Sequence, residues 1–172
     1  MHDAMPIAIE LNDHAWRAFK MAVAGLEDGE ADWRPLPESN NIALIVRHLR
    51  IEAQWHVDCL ERDASMVAPP TPERQREIDA IPMEVAVNLA ELTRLVERYL
   101  ELLRVATTQR VEAQTAAAYG EHAAARPHLL GYHQALHLTG HASQIRMIRN
   151  LYKKTRGRPQ QFFPENRSYP SR

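Results

Sequence analysis

The chain has 172 residues, 45% hydrophobic and 25% charged, the make-up of one soluble domain with one core rather than of a disordered or fibrous chain. A formal net charge of -1 and a pI near 6.8 leave no global field to draw nucleic acid or an anionic membrane surface. The single cysteine, Cys59, excludes an internal disulfide, no apolar run approaches the roughly 20 residues of a membrane span, and residues 1–15 do not resemble a signal peptide, so a reducing cytoplasm is the expected compartment.

Proline lacks a backbone donor and clashes with the preceding helical turn, so the eleven prolines mark where helices cannot run. Four windows remain. In the first, Ile7 to Arg34, the residues Leu11, Ala15, Phe19, Ala22, Val23 and Leu26 recur at steps of three and four, the stripe of an amphipathic helix. The second, Glu38 to Ala68, offers Ser39 or Asn40 as N-cap for a helix from Ile42 to about Arg62, with Ile45, His48, Leu49, Glu52, Trp55 and Cys59 facing inward. Pro82 suits the first turn of the third, in which Val85, Leu89, Leu92, Val96, Tyr99 and Leu103 keep a strict helical spacing. The fourth opens at Pro127, carries Leu130, Gln134, His137, His141, Ile145 and Ile148 on one face, and ends in Lys153, Lys154 and Gly157.

No segment alternates with a period of two, so the fold class is all-α and the architecture a four-helix bundle. Pro69, Pro70 and Pro72 within Ala64 to Pro82 predict a long crossover between the second and third helices. Thr107 to Arg126, Ala-rich and interrupted by Gly120, is compatible with a short helix or a loop. Residues 155–172 are expected to form an extended tail of a single domain covering 1–172.

Polar residues inside apolar stripes are informative, because burying one without a partner costs roughly 1 to 3 kcal/mol. His48, Glu52 and His56 form a row at four-residue spacing in the second helix, and His133, His137 and His141 form another in the fourth. His137 and His141 can direct two imidazoles to one ion, whereas His133 lies about 12 Å of helix rise from His141, so a third ligand should come from another helix, with His48 the natural candidate. The same pair also reads as satisfied or solvent-facing histidines, and spacing alone does not separate the two. Glu52 could be a fourth ligand, a general base, an acceptor for an imidazole N–H or half of an ion pair. Gln144 could support a ligand from behind or simply be polar at the core edge. Cys59, Trp16, Trp33 and Trp55 read as core or pocket wall, His2, His14, His122 and His128 as water-facing, and the basic cluster from Arg146 to Arg158 as a solvated helix end.

The segments Trp33-Arg34-Pro35, Asn40-Asn41-Ile42-Ala43-Leu44-Ile45-Val46-Arg47-His48-Leu49 and His137-Leu138-Thr139-Gly140-His141-Ala142-Ser143-Gln144-Ile145, with Asn150-Leu151-Tyr152 and Phe163-Pro164-Glu165-Asn166, resemble the DinB superfamily of DinB/YfiT-like metalloenzymes. The resemblance implies an up-down-down-up bundle, a homodimer, and a divalent metal on His48, His137 and His141. Relatives of known activity use a low-molecular-weight thiol, as S-transferases or isomerases, while others have no assigned reaction.

Three neutral imidazoles leave a +2 charge uncompensated and a coordination position open, the pattern of a catalytic site. The leading expectation is a metal-dependent thiol S-transferase or isomerase acting on a small molecule, with Glu52 as general base. Metal-assisted hydrolysis and a non-catalytic metal-binding stress or interaction domain are the rivals. Zinc and nickel are the first metals to consider for histidine nitrogen.

Overall fold

A computed structural model of the chain describes residues 5–62, 69–124 and 126–158. These form six helices and no strand: α1 (Met5–Val23), α2 (Ile42–Arg62), α3 (Pro72–Asp79), α4 (Val85–Val105), α5 (Thr108–Tyr119) and α6 (Leu129–Thr155), with a 3-10 turn at Gly120–Ala123. The all-α expectation is met: α2, α4 and α6 lie inside their proline-free windows, while α1 begins ahead of its window, at Met5, with Pro6 in its first turn, where a missing N–H leaves no helical bond unmade. The long helices pack as a bundle, α1 against α6 and α4, and α2 against α4 and α6, while α5 lies on α6 and α2.

Much of the core follows the periodic stripes. Ala15, Phe19 and Ala22 of α1, Ile45, Leu49 and Cys59 of α2, Leu92, Val96, Tyr99 and Leu103 of α4, and Leu130, Ile145 and Ile148 of α6 are all buried. Leu11 departs from its stripe and lies half-exposed, because Ala8 and Asn12 turn inward in its place. The buried Asn12 amide donates to the Ala8 and Gly131 carbonyls, which ties α1 to α6. Val46 and Leu138, neighbours of the inward stripes, are also buried in the core and offer no outer surface.

Local chemistry sets the helix ends. The N-cap of α2 is Asn41 rather than Ser39 or Asn40: its Oδ1 accepts from Leu44 N–H at 2.8 Å, while the Ser39 hydroxyl closes the preceding turn on Leu36. Pro82 lies before α4 rather than in its first turn, and its carbonyl accepts from the buried Asn88. The expected crossover contains helix α3, begun by Thr71 as N-cap and Pro72. Arg47 of α2 donates to the Ile78 and Ile81 carbonyls, which fastens the crossover to α2, and Arg50 donates to Asn88 Oδ1, which ties α2 to α4. The undecided stretch after Thr107 is helix α5, capped by Thr107 Oγ1 on Arg110 N–H. The expected tail falls, from residue 159 onward, outside the described residues, as does Phe163-Pro164-Glu165-Asn166.

Basic residues of the Arg146 to Arg158 cluster depart from the expected solvated role: Arg146 donates to the Ala18 carbonyl and Arg158 pairs with Glu27. Arg149 donates to the Ala22, Ala24 and Gly25 carbonyls, groups left without helical partners where α1 ends. It also pairs at 2.8 Å with Glu30, whose carboxylate is fully buried and accepts the Glu27 N–H. Gly25, at φ 63°, supplies the left-handed turn that brings these carbonyls round to the guanidinium. Removing one partner of a buried pair leaves the other charge unpaired, so Arg149→Met should lower the unfolding free energy by about 3 kcal/mol in urea titrations. A loss below about 1 kcal/mol would show that the carbonyls and Glu30 hold α1 on α6 without this clasp.

Candidate metal centre

His48 projects from α2, and His137 and His141, one turn apart, project from α6 where the two helices pack. One ligand nitrogen from each lies within 4.8 Å of the others, close enough for a single ion. Their rings form a triangle with centroid separations of 5.4, 5.1 and 5.4 Å. The expected inward position of His48 is only partly met: it is the exposed member, at the mouth, while His137 and His141 are half-buried. This suits a site that must admit a ligand from solvent.

The electrostatics keep ligand lone pairs available. Burial first, then the neighbouring His133, His48 and His141 rings, holds the His137 pKa down to about 4. Loss of surrounding water, then His141, lowers that of His48. Both are therefore neutral at pH 7, the form a metal requires. His141 Nδ1 lies 2.8 Å from Gln144 Oε1, an acceptor, so the ring carries its proton on Nδ1 and presents Nε2 as its lone pair. Gln144 is exposed rather than at the core edge, and its contact with His141 is the one its spacing allowed.

The donor set fits a metal, with three imidazole nitrogens within reach of one ion, and His137 Nδ1 is sealed from solvent without a hydrogen-bond partner. Glu52 Oε2 stands 3.7 Å from it, outside the three-histidine cluster but on the side from which a carboxylate would steady the ring. Burial raises the Glu52 pKa above that of a free carboxyl.

Behind these ligands lies a network whose partners the spacing did not join. His56, fully buried on α2, lies 2.7 Å from the Glu52 carbonyl oxygen and 3.2 Å from His133 Nδ1, which is 2.7 Å from the Tyr119 hydroxyl. His56 and His133 each belong to a visible four-residue row. Tyr119 closes α5, the stretch left open between helix and loop, and carries no spacing signal.

A helical bundle with three imidazoles converging between α2 and α6 is the arrangement expected of DinB/YfiT-like metalloenzymes. The chain belongs to the mycothiol-S-transferase family, whose family model matches residues 10–154, and that family is part of the DinB/YfiT-like superfamily. No curated protein and no solved structure matches the chain.

Protein purified without an affinity tag is expected to carry one divalent transition metal per chain by elemental analysis. His137→Ala should abolish it and His133→Ala should retain it. Equal metal content in the two variants would overturn the ligand assignment.

Proposed function

We propose that this protein is a metal-dependent thiol S-transferase in which His48, His137 and His141 hold a divalent ion, zinc or nickel, and a small thiol, mycothiol, is the cosubstrate. What supports the reading is the conjunction of a mycothiol-S-transferase match across residues 10–154 with three imidazoles that lie within reach of one ion. When bound, such an ion supplies positive charge that favours the thiolate form of a neighbouring thiol. Neutral ligands leave that charge undiminished.

The chain's own residues supply the rest. Gln144 fixes the His141 ring, and Glu52 steadies His137 and takes the proton that leaves the thiol S–H. The sulfur then forms its bond to the electrophilic atom of the second substrate, the leaving group departs with the bonding electrons, and the Glu52 carboxylic acid is placed to return a proton to it. His48, at the mouth, lets both reactants enter from solvent, and the buried Cys59 takes no part. A reducing cytoplasm is the compartment that keeps such a thiol available.

The test is transfer of mycothiol to an electrophile by the metal-loaded protein. His141→Ala should lose the activity, and Glu52→Gln should lower the rate about a hundredfold while keeping most of the metal. Absence of any rate above that of free thiol, with no change in the visible spectrum of the cobalt-substituted protein on adding thiol, would favour the non-catalytic domain instead.

We also propose that the protein works as a homodimer. Leu136, Met147 and Leu151 lie exposed at helical spacing on α6, around Gly140, where nothing stands within 4 Å of a would-be Cβ. Ile7, Leu11 and Met21 are exposed on α1, at spacings that place them on one side of that helix. A second copy is the occupant that would bury such faces on every chain equally. Light scattering should give twice the chain mass at micromolar concentration, with Leu136→Glu shifting it to the monomer. A monomeric wild type would overturn this.

A further inference from the structure

The crossover encloses a cavity that the metal centre does not use. Helix α3 has no buried residue, and polar contacts hold its two ends: Arg47 donates to the Ile78 and Ile81 carbonyls at one, and Arg74 reaches Asp58 of α2 at 3.8 Å at the other. Between these ties α3 bridges α2 and α4 instead of packing into them, and a space of about 120 Å³ remains beneath it. Ile51 of α2, Ile78 and Ile81 of the crossover and Leu95 of α4 supply its apolar walls, and Arg50 of α2 lines it beside them. Arg50 follows His48 by two residues, about 200° round the helix, so the cavity lies on a different side of α2 from the three histidines.

Arg50 is the charge in this cavity that lacks a counterpart. Its side chain is half-buried and donates from Nη1 to Asn88 Oδ1 at 3.0 Å. Asn88 is fully buried, and its amide nitrogen is held by the Pro82 and Glu84 carbonyls at 2.8 and 3.0 Å, so its oxygen has a fixed direction and aims the guanidinium. That acceptor is neutral, and among the described residues no carboxylate stands within ion-pair distance of Arg50. The other charged groups around the cavity are already matched. Glu91 is held by Arg94 through two bonds, at 2.6 and 3.1 Å, and Arg74 pairs with Glu77 at 3.0 Å. Taking a guanidinium out of water costs free energy that one neutral amide returns only in part, whereas a planar carboxylate matches its fork of N–H donors.

We propose that the cavity between α2, α3 and α4 binds a small monocarboxylate with a short aliphatic body, its oxygens on Arg50 and its chain against Ile51, Ile78, Ile81 and Leu95. Glu77 and Glu91 border the same space, and their field opposes a second negative charge, so a monoanion fits there and a dianion such as phosphate does not. A bound carboxylate joins α2 to the crossover where α3 buries no residue of its own.

Methyl spectra of the labelled full chain, titrated with sodium butyrate in exchange for sodium chloride at constant ionic strength, report on the cavity walls directly. Butyrate should give saturable shifts at Ile51, Ile78 and Leu95 with a dissociation constant on the order of 1 mM, and inorganic phosphate at the same ionic strength should give none. Arg50→Gln should weaken butyrate binding about tenfold or more. Ile78→Trp fills the cavity from a half-exposed position and leaves Arg50 in place, so it should abolish the shifts at Ile51 and Leu95. If Arg50→Gln loses the helical circular dichroism of the wild type, Ile78→Trp decides alone. Shifts no larger with butyrate than with chloride would overturn the proposal, as would wild-type affinity in a folded Arg50→Gln or full binding by Ile78→Trp. Phosphate that binds as tightly as butyrate would overturn the monocarboxylate class.

Discussion

The seam between α2 and α6 must enclose polar side chains from two helices, and each needs a partner there. Three from α2 (His48, Glu52, His56) and three from α6 (His133, His137, His141) meet across it, each row at four-residue steps along its helix. A shift of one residue in either helix turns its row by about 100° and breaks these contacts together. The unmet hydrogen bonds would cost on the order of 1 to 3 kcal/mol each, so the register that assembles the candidate metal centre is also the one that satisfies the core.

The rest of the fold defends that register. Arg149 and Glu30 fasten the end of α1 to α6, and Asn12 fastens its middle. Arg47 holds the crossover against α2, and the amide of Gln114 on α5 donates to the Leu60 carbonyl near the end of α2. These bonds join side chains to backbone carbonyls, which fixes one helix relative to another more tightly than packing of interchangeable aliphatic groups does. The gradient of burial along the seam then divides the labour. At the mouth, His48 is open to solvent and His137 and His141 are half-buried; in the depth, His56 is sealed.

The same gradient explains why so many histidines coexist without charge repulsion. Burial depresses the pKa values of His48, His56, His133 and His137, and for His48, His56 and His137 neighbouring rings add to it, so these four are neutral at physiological pH. The folded pKa values lie below that of an unfolded histidine, so the unfolded state binds more protons, and stability falls as pH drops below about 6.5 toward the depressed values. A neutral array is the form that can take up a cation.

By itself the sequence determined the helical class, the bounds of α2, the approximate places of the other three long helices, and His48, His137 and His141 as residues able to meet, because proline positions and a period of 3.6 residues are local properties written directly in residue order. It also made visible the rows containing Glu52 and His56, without deciding their roles. Only the tertiary structure decided that Asn12 and not Leu11 turns inward, that Val46 and Leu138 are core, that Arg149 is a clasp rather than a solvated charge, and that Tyr119 from α5 meets His133. Those outcomes depend on which face of one helix meets which face of another across tens of intervening residues. Periodicity along a chain fixes a helix's own faces, but what each face meets is set by how all of them pack together.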